Sequence, residues 1–432
     1  MAIVGGGAAG LATAIFARRA APHLSVTVLD GARTIGAKIL VSGGSRCNVT
    51  NRVVTDRDFW GGRASIVRHV LRAFPVDATV AFFREIGVAL HEEGDGKLFP
   101  DSNRSRDVLA ALVAEAGRRG ATISAGCRVA SIAADAGRFS LTTSRGPVRA
   151  RVVVLATGGQ SLPKTGSDGA GYAMARALGH TIVPTTPALA PLVLEGDGLH
   201  RALSGVSQDV ELAVWIDERV GIRLPGALLW THFGVSGPVA LNASRHWLRA
   251  RIEGRAVRVT VNFLPGATLP AVDAEWTRRG AAHPRTTVLS LLSRDVPTSM
   301  ARAMLDRLAI APDTTAAHFP RADRRRLAQA LVEYPLPVAD SRGYTYAEAT
   351  AGGVALTEID PASMASRVCD GLHLVGEILD VDGRIGGFNF QWAWSSGFVA
   401  GRALAKGAGS LGGGPLHGSR FNSSKVPGPA KP

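Results

Sequence analysis

Six residues near the start of the chain, Gly5-Gly6-Gly7-Ala8-Ala9-Gly10, restrict the fold more than any other feature. They fit G-x-G-x-x-G, directly after the apolar run Ala2-Ile3-Val4 and at the head of a helical pattern reaching about Ala20. In a strand–turn–helix unit Gly5 permits the tight turn, Gly7 lets the backbone approach a pyrophosphate, and Gly10 lets helix and strand pack closely. The N–H groups of the first helical turn, at Ala8 and Ala9, then face the anion along the helix dipole. A second strand is expected from Ser25 to Leu29. Asp30 closes it, where an acid can accept hydrogen bonds from a ribose. The first strand is short enough to be compatible with a start a few residues upstream of Met1. The fingerprint alone does not separate a flavin from a nicotinamide dinucleotide.

Beyond this unit, apolar residues recur at helical spacing from Ala64 to Ile86 and from Ser105 to Arg119. Arg128 to Ile132 and Phe139 to Thr143 read as antiparallel strands. Val152 to Leu155 is the continuous apolar run of a strand buried on both faces. The proline-punctuated passage Pro184 to Pro191 suggests a domain crossing. Alternation up to about Pro265 suggests β structure, and helical patterns follow at Thr287 to Leu292, Ser299 to Leu308 and Arg324 to Leu331. A strand at Leu372 to Val375 and a helix from about Phe390 to Leu404 return the chain to α/β character. The expected division is residues 1–187 with 340–406 as one domain in two pieces, 188–268 as a β-rich insertion and 269–339 as a helical subdomain. The Gly-, Ser-, Pro- and Lys-rich residues 407–432 are expected to be disordered.

Composition narrows the class of function. Three cysteines, Cys47, Cys127 and Cys369, lie far apart and form no CxxC pair, which favours a reducing cytoplasm. No Cys/His spacing suggests zinc or an iron–sulfur cluster, so no metal is expected. The uncharged start, Met1 to Ala17, is interrupted by glycines and preceded by no basic residue, unlike a signal peptide. Elsewhere no uncharged apolar run reaches the ~20 residues of a membrane helix. The formal charge is +14, but six Lys leave 43 Arg among the 49 basic residues, scattered in short clusters. That bias reads more as a GC-rich genome than as a nucleic-acid surface, and nucleic acid is not the expected partner.

Several longer stretches carry a resemblance. Ile35 to Asn51 includes Lys38, Ser42-Gly43-Gly44-Ser45-Arg46-Cys47-Asn48. Ala156-Thr157-Gly158-Gly159-Gln160-Ser161 is followed by Thr165 to Tyr172 with Asp168. Thr231 to Pro238, Thr350 to Val354, and Gly376-Glu377 through Gly386-Gly387-Phe388-Asn389 to Ala393 complete the set. Together they resemble the BaiN-type NAD(P)/FAD-dependent oxidoreductases, bacterial flavoproteins, across nearly the whole chain and in the family's order. Ser45 departs from the pattern, which usually has a third glycine there.

The resemblance implies an α/β fold: a Rossmann-like, two-dinucleotide-binding type of FAD domain, carrying an inserted β-rich and helical domain. It implies non-covalent FAD, with the Ser42-to-Asn48 loop near pyrophosphate and flavin ring. Thr157, Gly158 and Gly159 would sit at the carboxyl edge of the sheet, Val129 would hold adenine through its backbone, and Glu377 would bond the ribityl chain. If Gly386 to Asn389 form a helix N-terminus, their N–H groups can stabilise the negative charge of a reduced flavin. Cys47 could touch the flavin through its thiol or simply pack. His232 could donate a proton or be structural, and Arg384 could bind an anionic substrate or polarise a carbonyl. Trp392 and Trp394 read as core.

No second G-x-G-x-x-G unit is present, so NAD(P)H is expected as a transient donor docking on the flavin face. The expected activity is hydride transfer from NAD(P)H through flavin N5 to a small organic acceptor. The alternatives are a flavin-dependent RNA-modifying enzyme and a flavin-binding sensor without turnover.

Overall fold

The computed structural model describes residues 1–135, 137–196 and 198–410. Five parallel strands, Ala2–Val4, Thr27–Asp30, Thr122–Ala125, Val153–Leu155 and Leu372–Leu374, form a central sheet in the spatial order fifth, fourth, first, second, third. Ala2–Val4 and Val153–Leu155 are buried along their whole length, as strands covered on both faces must be. The order reverses between the first and fourth strands, and such a reversal opens a crevice at the carboxyl ends of the strands. The Gly5 turn, Asp30, Ala156–Gly159 and Gly376 all follow strand ends there.

Helix Ala8–Ala20 leaves the first strand and is covered by the C-terminal helix, Phe388–Ser410. Their approach needs glycine. A Cβ at Gly397 would lie 2.8 Å from Ala9 O, and one at Gly401 would lie 2.8 Å from Ala17 N. The meander Val129–Asp135, Arg138–Thr143 and Gly146–Ala150 is antiparallel, as the alternation suggested. The helical pattern at 64–86 is two helices, Ala64–Ala73 and Val76–Glu85. Pro75 divides them: it lacks an N–H and steers Phe74 out of the helical region, to φ −143° and ψ 82°.

A second hydrophobic core, running from Leu192 to Leu336, lies under a seven-stranded antiparallel sheet. Its strands in spatial order are Tyr334–Leu336, Val257–Asn262, Ser207–Ile216, Arg219–Thr231, Gly234–Ser236, Leu192–Leu194 and Val338–Ser341. The stretch read as β up to Pro265 also holds a 15-residue helix, Pro238–Ile252. Val239, Ala240, Ala243, Ser244, Trp247 and Leu248 are buried along one stripe of it, and Pro238 opens it. Four interspersed basic residues, Arg245, His246, Arg249 and Arg251, mask that stripe in the sequence.

Two chain crossings connect the cores. Ile182–Ala188 pairs antiparallel with Ala349–Val354, and Arg245 on the inserted helix makes a buried two-pronged ion pair with Asp382, at 2.6 and 3.0 Å. The C-terminal helix continues beyond Gly407 to Ser410; the rest of the expected tail, 411–432, lies outside the described residues. Among the described residues no helix is long and apolar enough to cross a membrane, and no group of His, Cys, Asp and Glu is arranged to hold a metal ion.

Candidate cofactor and active site

The glycine turn has the shape of an anion cradle. Gly5 sits at φ +108°, and a Cβ there would meet Ala156 O at 2.3 Å. A Cβ at Gly10 would meet Gly5 O at 2.0 Å, whereas one at Gly7 would meet nothing within 4 Å. Space is therefore left in front of Gly7 and closed behind Gly10. The first turn of the helix carries no acid and no side-chain cap, so its leading N–H groups at Ala8 and Ala9 keep their donor capacity. Asp30 braces the turn: Gly6 N–H donates to Oδ2 at 2.6 Å and Ala32 N–H to Oδ1 at 2.8 Å. A carboxylate has further lone pairs to offer a ribose. Cys127 N–H donates to Asp30 O at 2.7 Å, which places Val129, buried at the head of its strand, beside the same edge.

A charged network forms the next part of the crevice. Lys38 Nζ donates to Glu377 Oε2 at 2.5 Å and to Ser161 Oγ. Ser161 Oγ and Thr350 N–H both donate to Glu377 Oε1, at 2.7 and 2.9 Å. Thr350 Oγ1 in turn accepts from Gln160 N–H at 2.8 Å. Three segments distant in sequence thus converge on the carboxylate of a fourth. Ser161 and Thr350 were not among the residues picked from the sequence, although both lie inside the stretches that carry the resemblance. Glu348, two residues before Thr350 and exposed, was also missed.

The loop after Lys38 is built on left-handed backbone at Gly43, Gly44, Ser45 and Cys47, with φ of +54°, +66°, +67° and +64°. Ser45 therefore occupies a conformation that glycine adopts without strain, a physical reason for glycine in the related pattern. Ser42 donates to Ile39 O at 2.8 Å, and Ser42 O accepts from Cys47 N–H at 3.0 Å. The Cys47 thiol is fully buried, and burial pushes it up to about 12, so it is a neutral thiol at physiological pH. Arg46 turns away to Glu93, at 2.6 Å, and stacks on Phe99. Asn48 is buried and its Oδ1 has no partner among the described residues.

The C-terminal helix begins at Phe388, after Gly386 and Gly387 at φ +121° and +93°. A Cβ on Gly387 would lie 2.5 Å from Thr50 O, so this turn is pressed against the Ser42-to-Asn51 segment. Asn389 brackets Gly383, accepting from its N–H at 2.8 Å and donating to its O at 3.0 Å. Trp392 Nε1 donates to Gly376 O, and Trp392 and Trp394 are core residues. Gly158 is left-handed at φ +72°, and Ser167 Oγ and Tyr172 OH, close to the Cβ positions of Gly158 and Gly159, are buried without partners among the described residues. Asp168 accepts from Arg128 at 2.7 Å.

Arg384 pairs with Asp58 at 2.7 Å and lies over Phe388, so its charge is already matched. His232 is exposed at a turn of the antiparallel sheet, with its ring edge-on to Phe233. The glycine cradle, the uncapped helix start and the orphaned Asn48 Oδ1 together fit a dinucleotide with a pyrophosphate and a polar ring edge.

Comparison with known proteins agrees. Residues 1–403 match the family model described as HI0933-like protein Rossmann domain. The 3-dehydro-bile acid delta(4,6)-reductase of Clostridium scindens is 34% identical, covering 94% of this chain and 98% of its own length. The ribosomal RNA dihydrouridine synthase of Escherichia coli is 31% identical, over 93% of this chain and 97% of its own. Among solved structures, a quinol–fumarate reductase with menaquinol covers 96% of this chain and 72% of its own, with TM-score 0.50 at 16% identity, a likeness of fold alone. The fold is the Rossmann-type FAD-binding one, with an inserted antiparallel sheet.

Proposed function

The chain belongs to the HI0933-like Rossmann family of flavoprotein oxidoreductases, and we propose that it is an FAD-dependent reductase of carbon–carbon double bonds conjugated to a carbonyl, with NAD(P)H as donor. One observation carries this reading. Two relatives above 30% identity over nearly the whole chain are named for different substrates but for one kind of reaction. A 3-oxo-4,6-diene and a uracil ring both present a C=C bond in conjugation with C=O, and both names denote adding two hydrogens across it.

FAD, when bound, supplies the hydride chemistry, and the protein supplies position and charge. Gly5, Gly7 and Gly10, with the N–H groups of Ala8 and Ala9, would hold the pyrophosphate, and Asp30 and Val129 the adenosine end. Lys38, Glu377, Ser161 and Thr350 would fix the ribityl chain. Gly43, Gly44, Asn48 and the Gly386-to-Asn389 helix start would border the ring. The helix N-terminus there favours the anionic form of whatever it faces, which raises the tendency to accept electrons.

Absorption spectroscopy tests the reading. The purified protein is expected to show flavin bands that bleach anaerobically with NADPH or NADH and return on adding a Δ4-3-oxo steroid or a uridine oligonucleotide. Bands that no nicotinamide bleaches would remove the donor and leave the sensor reading; a protein that cannot be loaded with FAD would sink the whole proposal. The RNA-modifying reading is favoured by the two relatives named ribosomal RNA dihydrouridine synthase. It requires reoxidation by the oligonucleotide and not by the steroid, with binding that weakens steeply as salt rises.

A further inference from the structure

The crossing from the antiparallel sheet back to the parallel one contains a loop with an unmatched cation. Arg342 N–H donates to Pro191 O at 2.9 Å, and Glu348 N–H donates to Leu189 O at 3.2 Å. Two residues' advance on one crossing thus faces six on the other, and the chain between Arg342 and Glu348 must loop out. Within the loop Tyr344 O accepts from Leu162 N–H at 2.9 Å. Ser161, the next residue back, belongs to the Lys38–Glu377 network, and its Oγ reaches Glu348 O at 3.4 Å. The loop therefore runs from the inserted sheet to the edge of the cofactor cradle.

The Arg342 guanidinium lies over two rings, 3.5 Å from the Tyr346 centroid and 4.6 Å from that of Phe233. Contact with a ring face leaves the N–H groups on the edge of a guanidinium free to hydrogen-bond. Other arginines of this chain that lie over rings use that edge internally, whereas Arg402, 5.7 Å from the Phe398 centroid, has no such partner among the described residues. Arg46 reaches Glu93, Arg245 reaches Asp382, Arg251 reaches Ala339 O and Arg258 reaches Glu333. Arg342, the one with the closest ring, has no side-chain hydrogen bond or ion pair among the described residues. Tyr346 is 47% exposed and His232, against Phe233, is exposed too, so the edge opens on solvent. A guanidinium packed against two rings and lacking an oxygen partner is restricted in place and can take a bidentate oxyanion.

We propose that Arg342, packed against Phe233 and Tyr346, is an oxyanion-binding subsite that takes a carboxylate or phosphate carried by the substrate at a distance from its reducible bond. The subsite deepens the reductase reading and rests on it for the substrate's other end. Its own ligand chemistry is independent of that reading.

The test uses the FAD-loaded full chain and three probes: a Δ4-3-oxo steroid with a side-chain carboxylate, its methyl ester, and a short uridine oligonucleotide. Binding to the oxidised protein is read from the flavin absorption change, and KM from turnover. If the source is a carboxylate, the acid binds about ten- to hundredfold tighter than the ester, the range of a charge-assisted pair. Arg342→Gln then collapses that ratio towards one, and Arg342→Lys, which keeps the charge but not the planar fork, restores only part of it. If the source is phosphate, the oligonucleotide weakens in Arg342→Gln and its salt slope falls by about one. Absence of Arg342-dependent binding for both the acid and the oligonucleotide overturns the subsite. Arg342-dependent binding with no double bond reduced would leave the subsite standing and remove the reductase reading. Reduction of acid and ester alike in native protein and variant, with oligonucleotide binding also unchanged in Arg342→Gln, would do the reverse.

Discussion

Two glycines of one fingerprint separate folding from cofactor binding. Gly10 is closed in by Gly5 O, so Gly10→Ala forces backbone apart, and about 1–3 kcal/mol of stability should be lost. Gly7 has ordinary extended backbone, φ −80° and ψ −167°, and open space beyond its Cβ position. Gly7→Ala should therefore melt within a degree or two of the native protein yet retain at least tenfold less FAD, because only the ligand would meet the new methyl. Thermal melts of the flavin-free protein, set beside flavin content, check both. A Gly7→Ala variant that keeps its flavin would show that the pyrophosphate lies elsewhere. The fingerprint in the sequence already assigns Gly7 to the pyrophosphate and Gly10 to close packing, but not the space around each. That space depends on what lies opposite each Cα.

At the scale of elements, helix Ser105–Arg118 is tied to helix Ala8–Ala20 through one buried carboxylate. Glu115 accepts from Arg19, Arg118 and Arg119 at 2.6 to 2.9 Å. Burial pushes its carboxyl up, and the three guanidinium groups overcome that push and hold it at about 2, against an ordinary 4.5. A carboxyl depressed on folding contributes stability above its unfolded value, and the contribution is lost as pH falls from about 4.5 to about 2. The difference corresponds to about 3 kcal/mol. Urea titrations from pH 7 to 2 should show that loss in the native protein and a flatter, lower profile in Glu115→Gln. An equal pH slope in both would refute the assignment. Elements that follow local rules were the readable ones: the glycine helix, the buried strand at 153–155 and the meander. The helix at 238–252 was not, because its polar face is dense in arginine and its neighbours alternate as strands. Nor was the break at Pro75 between two helices of the same periodicity.

For the whole molecule, the decisive contact is the Arg245–Asp382 pair, which joins residues of the two cores. Burial pushes the Asp382 carboxyl up even though Arg245 pulls it down, so the pair is not a net source of stability. Removing one partner is another matter: Arg245→Ala should lower stability by about 3–5 kcal/mol, by stranding Asp382. Arg245→Met with Asp382→Leu should recover most of that loss. Chemical denaturation of the three proteins distinguishes the two effects, and a double variant as unstable as the single one would contradict this account. No local pattern announces a partnership across 137 residues. For the same reason the network on Glu377 could be recognised from the sequence only as separate stretches. The union of the first and last described helices has a consequence for biosynthesis. The glycine-loop helix forms early from the emerging chain, but the face closed by Gly397 and Gly401 stays bare until those residues have left the ribosome. The fifth strand, Leu372–Leu374, arrives equally late. A nucleotide cradle begun by residues 5–10 and finished by residues beyond 372 delays capture of the cofactor until those later residues have been made, and a chain stopped short of them is left with an apolar helix face for a chaperone to shield.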